Sequence, residues 1–262
     1  MTAEVKVLLE GFTNSDSVAE LGEERTQPTI TLVRDQGVVM VVDPGILENQ
    51  QLLIDALAKE DLRPEDVNYV CITHSHIDHY RNIGMFPNAK ALEYGGVWGT
   101  NTVENWAENF TNNIRILHTP GHDYTCLTLF VKTKDGVVAI CGDVFWKENY
   151  PRNAHDDAYA SNPEKLEESR QMVLKMADMI VPGHGPIYKN DKDNILNVPE
   201  PEKTKTKAKE FKITLTCKRC GRDMSQKDKC QCRPYLCFRC CECGLDCNNC
   251  SCSHKKRSKR SE

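Results

Sequence analysis

Nowhere in its 262 residues does the chain hold an apolar run near the roughly 20 residues that a bilayer-spanning helix needs, so an ordinary helical membrane protein is excluded. The opening Met1-Thr2-Ala3-Glu4-Val5-Lys6 also lacks a basic stretch followed by a signal-like apolar core, and a cytoplasmic and/or nuclear location is expected. Cysteine is scarce through most of the chain. Cys71, Cys126 and Cys141 lie within predicted strands, and the other 11 of the 14 crowd between Cys217 and Cys252. In a reducing compartment such crowding points to metal ligands and away from disulfides. Apolar residues nearly vanish between Pro199 and Lys212, and a stretch with so little to bury reads as a charged linker, placed at 196–215. Basic residues are short in the body: residues 1–200 hold 17 against 31 acidic ones, a balance of −14, whereas the remainder holds 17 against 7, a balance of +10.

What is present is a dense histidine motif. Thr73-His74-Ser75-His76-Ile77-Asp78-His79 packs three imidazoles and a carboxylate into six positions, directly after the apolar run Val67-Asn68-Tyr69-Val70-Cys71-Ile72. Side chains so close in sequence reach different points only if the chain turns sharply, as at a strand end entering a loop and then a helix. Three further turns follow apolar segments and can each present a side chain at one edge of a sheet: Thr119-Pro120-Gly121-His122-Asp123, Cys141-Gly142-Asp143 and Val181-Pro182-Gly183-His184-Gly185. A metal site is the natural reading. His118, His155 and His254 fall outside these motifs and read as ordinary.

The segments 5–9, 30–34, 38–42, 69–72, 114–117, 125–133 and 137–141 are rich in β-branched residues and bounded by turn signals, which predicts strands. Residues 51–59 and the stretch after Pro163, with Leu166, Val173, Leu174 and Ala177, show helical spacing. By periodicity alone this is a mixed α/β domain of about 200 residues with a small appendage.

The ordered set of HxHxDH, a TPGH histidine, a GD aspartate and a PGHG histidine resembles the metallo-beta-lactamase superfamily of binuclear metallohydrolases, over roughly residues 5 to 190. The connecting runs narrow it: 82–89 (NIGMFPNA), 142–145 (GDVF), and 167–170 (EESR) leading to 177–186 (ADMIVPGHGP) are similar to the metallo-beta-lactamase domain-containing protein 1 family, associated with endoribonucleolytic 3′ processing of histone pre-mRNA. The resemblance implies a four-layer αββα sandwich over residues 1–195. It also implies one ion held by His74, His76 and His122, a second by Asp78, His79 and His184, and Asp143 bridging them. Two such ions can share a hydroxide aimed at an ester centre, with Asp78 as the group that orients it and accepts its proton. Imidazole-rich coordination suits two Zn²⁺, with iron or manganese as alternatives. His76 stands where oxygen-reducing di-iron relatives tend to carry Glu, which favours hydrolysis over redox chemistry. Asp43, ending an apolar strand before Pro44-Gly45, resembles the carboxylate that steadies the ligand loops; a turn-initiating Asp is the plainer alternative.

The C-terminal thiols are Cys217, Cys220, Cys230, Cys232, Cys237, Cys240, Cys241, Cys243, Cys247, Cys250 and Cys252. Three separate CxxC pairs among them predict a zinc-binding module over 216–254 holding two or three structural Zn²⁺, followed by a basic tail over 255–262. A cross-braced RING pattern fits eight of these positions loosely and is broken by the remaining thiols. So small a module buries little core, so metal would contribute most of its folding energy.

Ligands of this kind identify a reaction type and leave the substrate open. An RNA substrate is the leading expectation, helped by the basic tail, since Lys and Arg contacts to phosphate supply most sequence-independent affinity. Between Asp143 and His184 there is no room for the β-CASP insertion of other RNA-cleaving relatives. The competing readings are a glyoxalase II-like thioesterase, and a zinc-tail adaptor that uses the hydrolase fold as scaffold. Protein partners are expected through the cysteine-rich tail, a homodimer is compatible with the chain, and no membrane partner is expected.

Overall fold

The structure, a computed structural model, describes residues 2–15, 22–148 and 150–191. The expected linker 196–215, the cysteine-rich segment 216–254 with its 11 thiols, and the basic tail 255–262 lie outside the described residues. In chain order the strands are β1 (Glu4–Leu9), β2 (Phe12–Thr13), β3 (Thr26–Gln27), β4 (Ile30–Asp35), β5 (Val38–Val42), β6 (Tyr69–Cys71), β7 (Lys90–Glu93), β8 (Gly96–Trp98), β9 (Val103–Glu104), β10 (Ile114–His118), β11 (Leu127–Thr133), β12 (Gly136–Ile140), β13 (Met179–Val181) and β14 (Tyr188–Lys189). The α-helices are α1 (Gln51–Ala58), α2 (Ile77–Tyr80) and α3 (Pro163–Met176).

Two sheets stack face to face. The first has seven strands in the order β1-β4-β5-β6-β7-β8-β9, the second five in the order β10-β11-β12-β13-β14, and β2 pairs separately with β3. Alternation along each strand sends every second side chain to the opposite face. Met40 and Val42 of β5 therefore meet Leu127, Leu129 and Val131 of β11 between the sheets. Val41 turns outward onto Leu53 and Leu57 of α1, and Phe130 and Ala139 turn outward onto Leu166 and Val173 of α3. This is the αββα sandwich that the motif order implies. Strands covered on both faces are nearly apolar throughout, which explains VVMVV of β5 and LTLFV of β11, where the one polar residue, Thr128, pairs its hydroxyl with that of Thr119 at 2.8 Å.

The helices carry the complementary stripe. In α3 the buried residues Leu166, Ser169, Arg170 and Val173 fall on one face, Pro163 occupies the first turn, and the Asn162 side chain caps it by accepting from the Lys165 N–H at 2.9 Å. The α1 helix buries Leu53, Ala56 and Leu57 in the same spacing.

Three connections are parallel crossovers, β5 to β6, β6 to β7 and β12 to β13. The turns after β5, β6, β12 and β13, and the one after β10, thus open at the same edge of the sandwich, the carboxyl-end crevice where ligands of open α/β sheets bind. Hydrogen bonds clasp that edge across the layers: Leu127 N–H to the Thr73 carbonyl at 2.7 Å and Thr29 N–H to the Gly183 carbonyl at 2.7 Å.

The short strands β7, β8 and β9 escape the periodicity, because they are rich in Lys, Glu and Gly and lie toward an edge of their sheet. Strand β11 begins at Leu127 rather than at Thr125 as expected, since Asp123 Oδ1 accepts the Thr125 N–H at 2.8 Å and holds 123–125 in a tight turn. Leu129, fully buried between the sheets and paired with Ile116 and Ile140, tests the core. Leu129→Ala should cost about 2–5 kcal/mol, read as a lowered urea midpoint with unchanged slope.

Candidate metal centre

The extended-to-helical switch within the histidine motif sorts its ligands. His76 has extended backbone and α2 begins at Ile77, so His74 and His76, two apart on extended chain, point one way while the first helical turn carries Asp78 and His79 round to the other. The donor atoms divide accordingly. His74, His76, His122 and Asp143 form one group and Asp78, His79 and His184 a second, all atoms within a group lying within 4.8 Å of one another. Every ligand expected from the motifs is brought to this place.

Asp143 joins the groups. Its Oδ2 lies 3.3 Å from His122 Nε2 and 3.8 Å from His74 Nε2, while its Oδ1 lies 3.2 Å from His184 Nε2 and 3.3 Å from His79 Nε2. His76 presents Nδ1, 3.0 Å from both His74 Nε2 and His122 Nε2. On the second side Asp78 Oδ2 lies 3.8 Å from His184 Nε2 and 3.9 Å from His79 Nε2. Gly183 makes the bridge sterically feasible: a Cβ there would lie 1.9 Å from Asp143 Oδ1.

Four of the imidazoles are turned by hydrogen bonds at their outer nitrogen. Nδ1 of His79 meets Asp43 Oδ2 at 2.9 Å, that of His122 meets Asp157 Oδ2 at 2.8 Å, that of His184 meets the Gln27 carbonyl at 3.0 Å, and that of His74 meets Thr73 Oγ1 at 3.1 Å. A proton held at Nδ1 leaves the Nε2 lone pair facing inward, the form a metal takes. Asp43 does more than initiate a turn, since it also accepts from the Thr73 N–H at 2.8 Å and the Thr73 hydroxyl at 2.7 Å, so one carboxylate orients both ligand groups. The sequence reading missed Asp157 and the contribution of Thr26, whose Oγ1 lies 2.9 Å from His184 Nδ1 and 3.5 Å from Asp78 Oδ2. Neither sits in a recognisable motif. His118 and His155 stay outside the donor groups, and His254 lies outside the described residues.

The arrangement fits two divalent ions. His79 Nε2 and Asp143 Oδ1 are buried and have no hydrogen-bond partner among the described residues, which is costly unless something positive sits between such lone pairs. Donor spacings of 3.0 to 3.8 Å in the first group match the about 3.3 Å edge of a tetrahedron with ligands about 2.0–2.1 Å from its centre.

Burial pushes His74 well below the usual imidazole value, with His79 adding to the effect, and burial lowers His76 too. For His79 burial acts in the same direction, but the Asp143 and Asp43 carboxylates outweigh it and hold the ring well above its ordinary value. His184 is raised the same way, burial being overcome by Asp143. Burial would raise Asp143, yet His184 and His79 hold it well below the carboxylate range.

A profile model of the metallo-beta-lactamase superfamily matches residues 24–103. The chain is 30% identical over 199 residues to metallo-beta-lactamase domain-containing protein 1 of Xenopus laevis, an alignment covering 71% of this chain and 81% of that one. It is 32% identical over 162 residues to the human protein of the same name, covering 57% of this chain and 59% of that one. Among solved structures, a Thermotoga maritima protein described as a candidate metallo-beta-lactamase superposes with a TM-score of 0.59 at 20% identity, covering 72% of this chain and all of the other.

Two outcomes follow from this geometry. A raised imidazole keeps its proton to higher pH, so protons compete with metal more strongly at His79 and His184 than at His74 and His76, which are lowered. Metal-free protein titrated with Co²⁺ and followed by d–d absorption should fill the position of His74 and His76 at lower pH than the position of His79 and His184; simultaneous filling across the range contradicts this. Asp157→Asn should lower affinity at the first position about 10–100-fold, read in the same titration.

Proposed function

This chain belongs to the metallo-beta-lactamase domain-containing protein 1 family, and from that premise we propose that it is an endoribonuclease of RNA processing, of the histone pre-mRNA 3′-end type. The broader class rests on fold and donor set together: it is a metal-dependent hydrolase. Asp143, held between two imidazole groups with Asp78 beside the second, is the observation that carries this reading. Ions held by these two donor groups would supply Lewis-acid chemistry, lowering the pKa of water from about 15.7 toward neutrality and offsetting charge on a phosphoryl oxygen. The imidazole-rich set suits zinc, with iron or manganese as alternatives.

The chain's own residues divide the remaining work. A cleft of about 280 Å³ opens over the donor groups, with Asp78 and His76 in its base and Trp146, Tyr159 and Ile77 along its sides. Asp78 is tied to Thr26 and to the second group yet lines the cleft, which supports the reading that it takes the proton from attacking water as the phosphorus–oxygen bond breaks. Asp43 and Asp157 keep His79 and His122 from rotating. Tyr159 donates to Glu24, and Glu24 also accepts from Ser15 at 2.5 Å, so the β2–β3 side of the cleft is tied to its opposite rim. The segments after residue 195 complete the proposal: a charged linker, a zinc module able to meet protein partners, and a basic tail that favours RNA.

Metal-loaded full-length protein should cut single-stranded RNA, and Asp78→Ala should bind RNA while cutting it about 10²–10⁴-fold more slowly. RNA, an acyl-glutathione and a lactam assayed in parallel, with Asp143→Ala as the control, decide the substrate. Intact RNA beside rapid thioester turnover overturns the nuclease reading.

A further inference from the structure

Behind the turn that carries the ligands lies a second pocket, of about 230 Å³, that the metal chemistry leaves unused. Its lining is mostly apolar, from Ile72, Tyr80 and Ile83, and it also touches His74, whose ring belongs to the first donor group. The pocket thus begins one side chain away from the metal centre. The loop at its rim is fixed, since the Ser75 N–H donates to Thr125 Oγ1 at 3.0 Å and both residues line the space.

Two features give the pocket a chemical preference. Tyr94 is 42% exposed, and its orientation is set by edge-on contacts to His118 at 4.9 Å and Tyr124 at 6.0 Å, with Trp106 packed behind His118 at 4.9 Å. A large ring held in place by other rings loses little entropy on binding, which makes it a ready stacking surface. The second feature is Glu93. Its carboxylate is aimed by the Gly95 N–H at 2.9 Å and the Trp98 indole N–H at 2.5 Å, and it lines the same space. An alkyl chain would press methylenes against this carboxylate and strip its water without replacing the lost hydrogen bonds. A flat ligand with apolar faces and N–H donors along one edge satisfies both features, and that is a nucleobase. Guanine carries two adjacent donors, N1–H and N2–H, that one carboxylate can accept side by side; the other three bases do not.

We propose that this pocket takes a guanine of the RNA strand beside the scissile phosphate, stacked on Tyr94 and read by Glu93. The proposal rests on the RNA reading above. It assigns Tyr94 and Glu93 to specificity and leaves the reacting atoms to the metal centre.

The test uses the metal-loaded full chain and its Tyr94→Ala, Tyr94→Phe and Glu93→Gln variants. Substrates are RNA oligonucleotides with a single G, inosine or A near the cut, a baseless diester without aromatic rings (abasic ribose 3′-methyl phosphate), and an acyl-glutathione. The ratio of kcat/KM on G-containing RNA to that on the baseless diester should fall about tenfold in Tyr94→Ala and return in Tyr94→Phe. Preference for G over inosine and A should vanish in Glu93→Gln. Cleavage of RNA that is indifferent to the base, or a ratio unmoved in Tyr94→Ala, overturns the pocket assignment and leaves the nuclease reading intact. Hydrolysis of the diester or thioester with RNA left whole overturns both. A larger loss on acyl-glutathione than on RNA in Tyr94→Ala would give the pocket to an alkyl chain and end the proposal.

Discussion

The ligand-bearing turns among the described residues converge on one buried carboxylate, Asp143. Asp143 sits 4% exposed between two sets of imidazoles, with Oδ2 3.3 Å from both His122 and His184 and Oδ1 3.2 to 3.3 Å from His184 and His79. Inward lone pairs repel one another in a low-dielectric interior, and positive charge among them, from a bound cation or from protons on His79 and His184, offsets the repulsion in this arrangement. The backbone must approach closely to build it. Gly183 passes where any side chain would strike the Asp143 oxygen, so the glycine of the PGHG turn is a steric requirement of the bridge.

Holding that carboxylate in place is the task of the sandwich. The ligand turns come from both sheets, and their relative positions are set by the interleaved core between them and by the few hydrogen bonds that cross the edge. Local strain is tolerated there. Asp43 has φ of 50°, a left-handed conformation uncommon for a residue other than glycine, and it keeps it while its carboxylate accepts from Thr73 twice and from His79. Rigid scaffold and strained turn are therefore parts of one device, because a ligand loop free to relax would let the donor groups drift apart.

Two pockets meet at the histidine turn and differ in kind. One is floored by donors and suits the reacting bond, whereas the other is walled by Ile72, Tyr80, Ile83 and Tyr94 with Glu93 in its lining, and suits recognition. The body carries an excess of acidic residues, so it would repel a polyanion unless cations in the donor groups or the basic residues that follow residue 200 offset that charge.

The donor set was legible in the linear chain because each ligand lies in a short motif whose glycines, prolines and preceding apolar run are dictated locally: HxHxDH at a strand-to-helix turn, TPGH, GD and PGHG at strand ends. The long strands and both long helices were legible for the same reason, since burial on a strand face or a helix stripe imposes a period on the residues themselves. Asp157, Thr26 and the Gln27 carbonyl were not, because each meets its histidine from 35 to 158 positions away and carries no local constraint that marks it. Nor could periodicity show that Tyr94, Tyr124 and His118 converge beside Glu93, since that meeting needs two different sheets to be stacked first. The sequence by itself determined which short turns carry the candidate donors and which layers form; the tertiary structure alone decided which carboxylate turns which imidazole and where a second pocket opens, because those contacts join residues that only folding brings together.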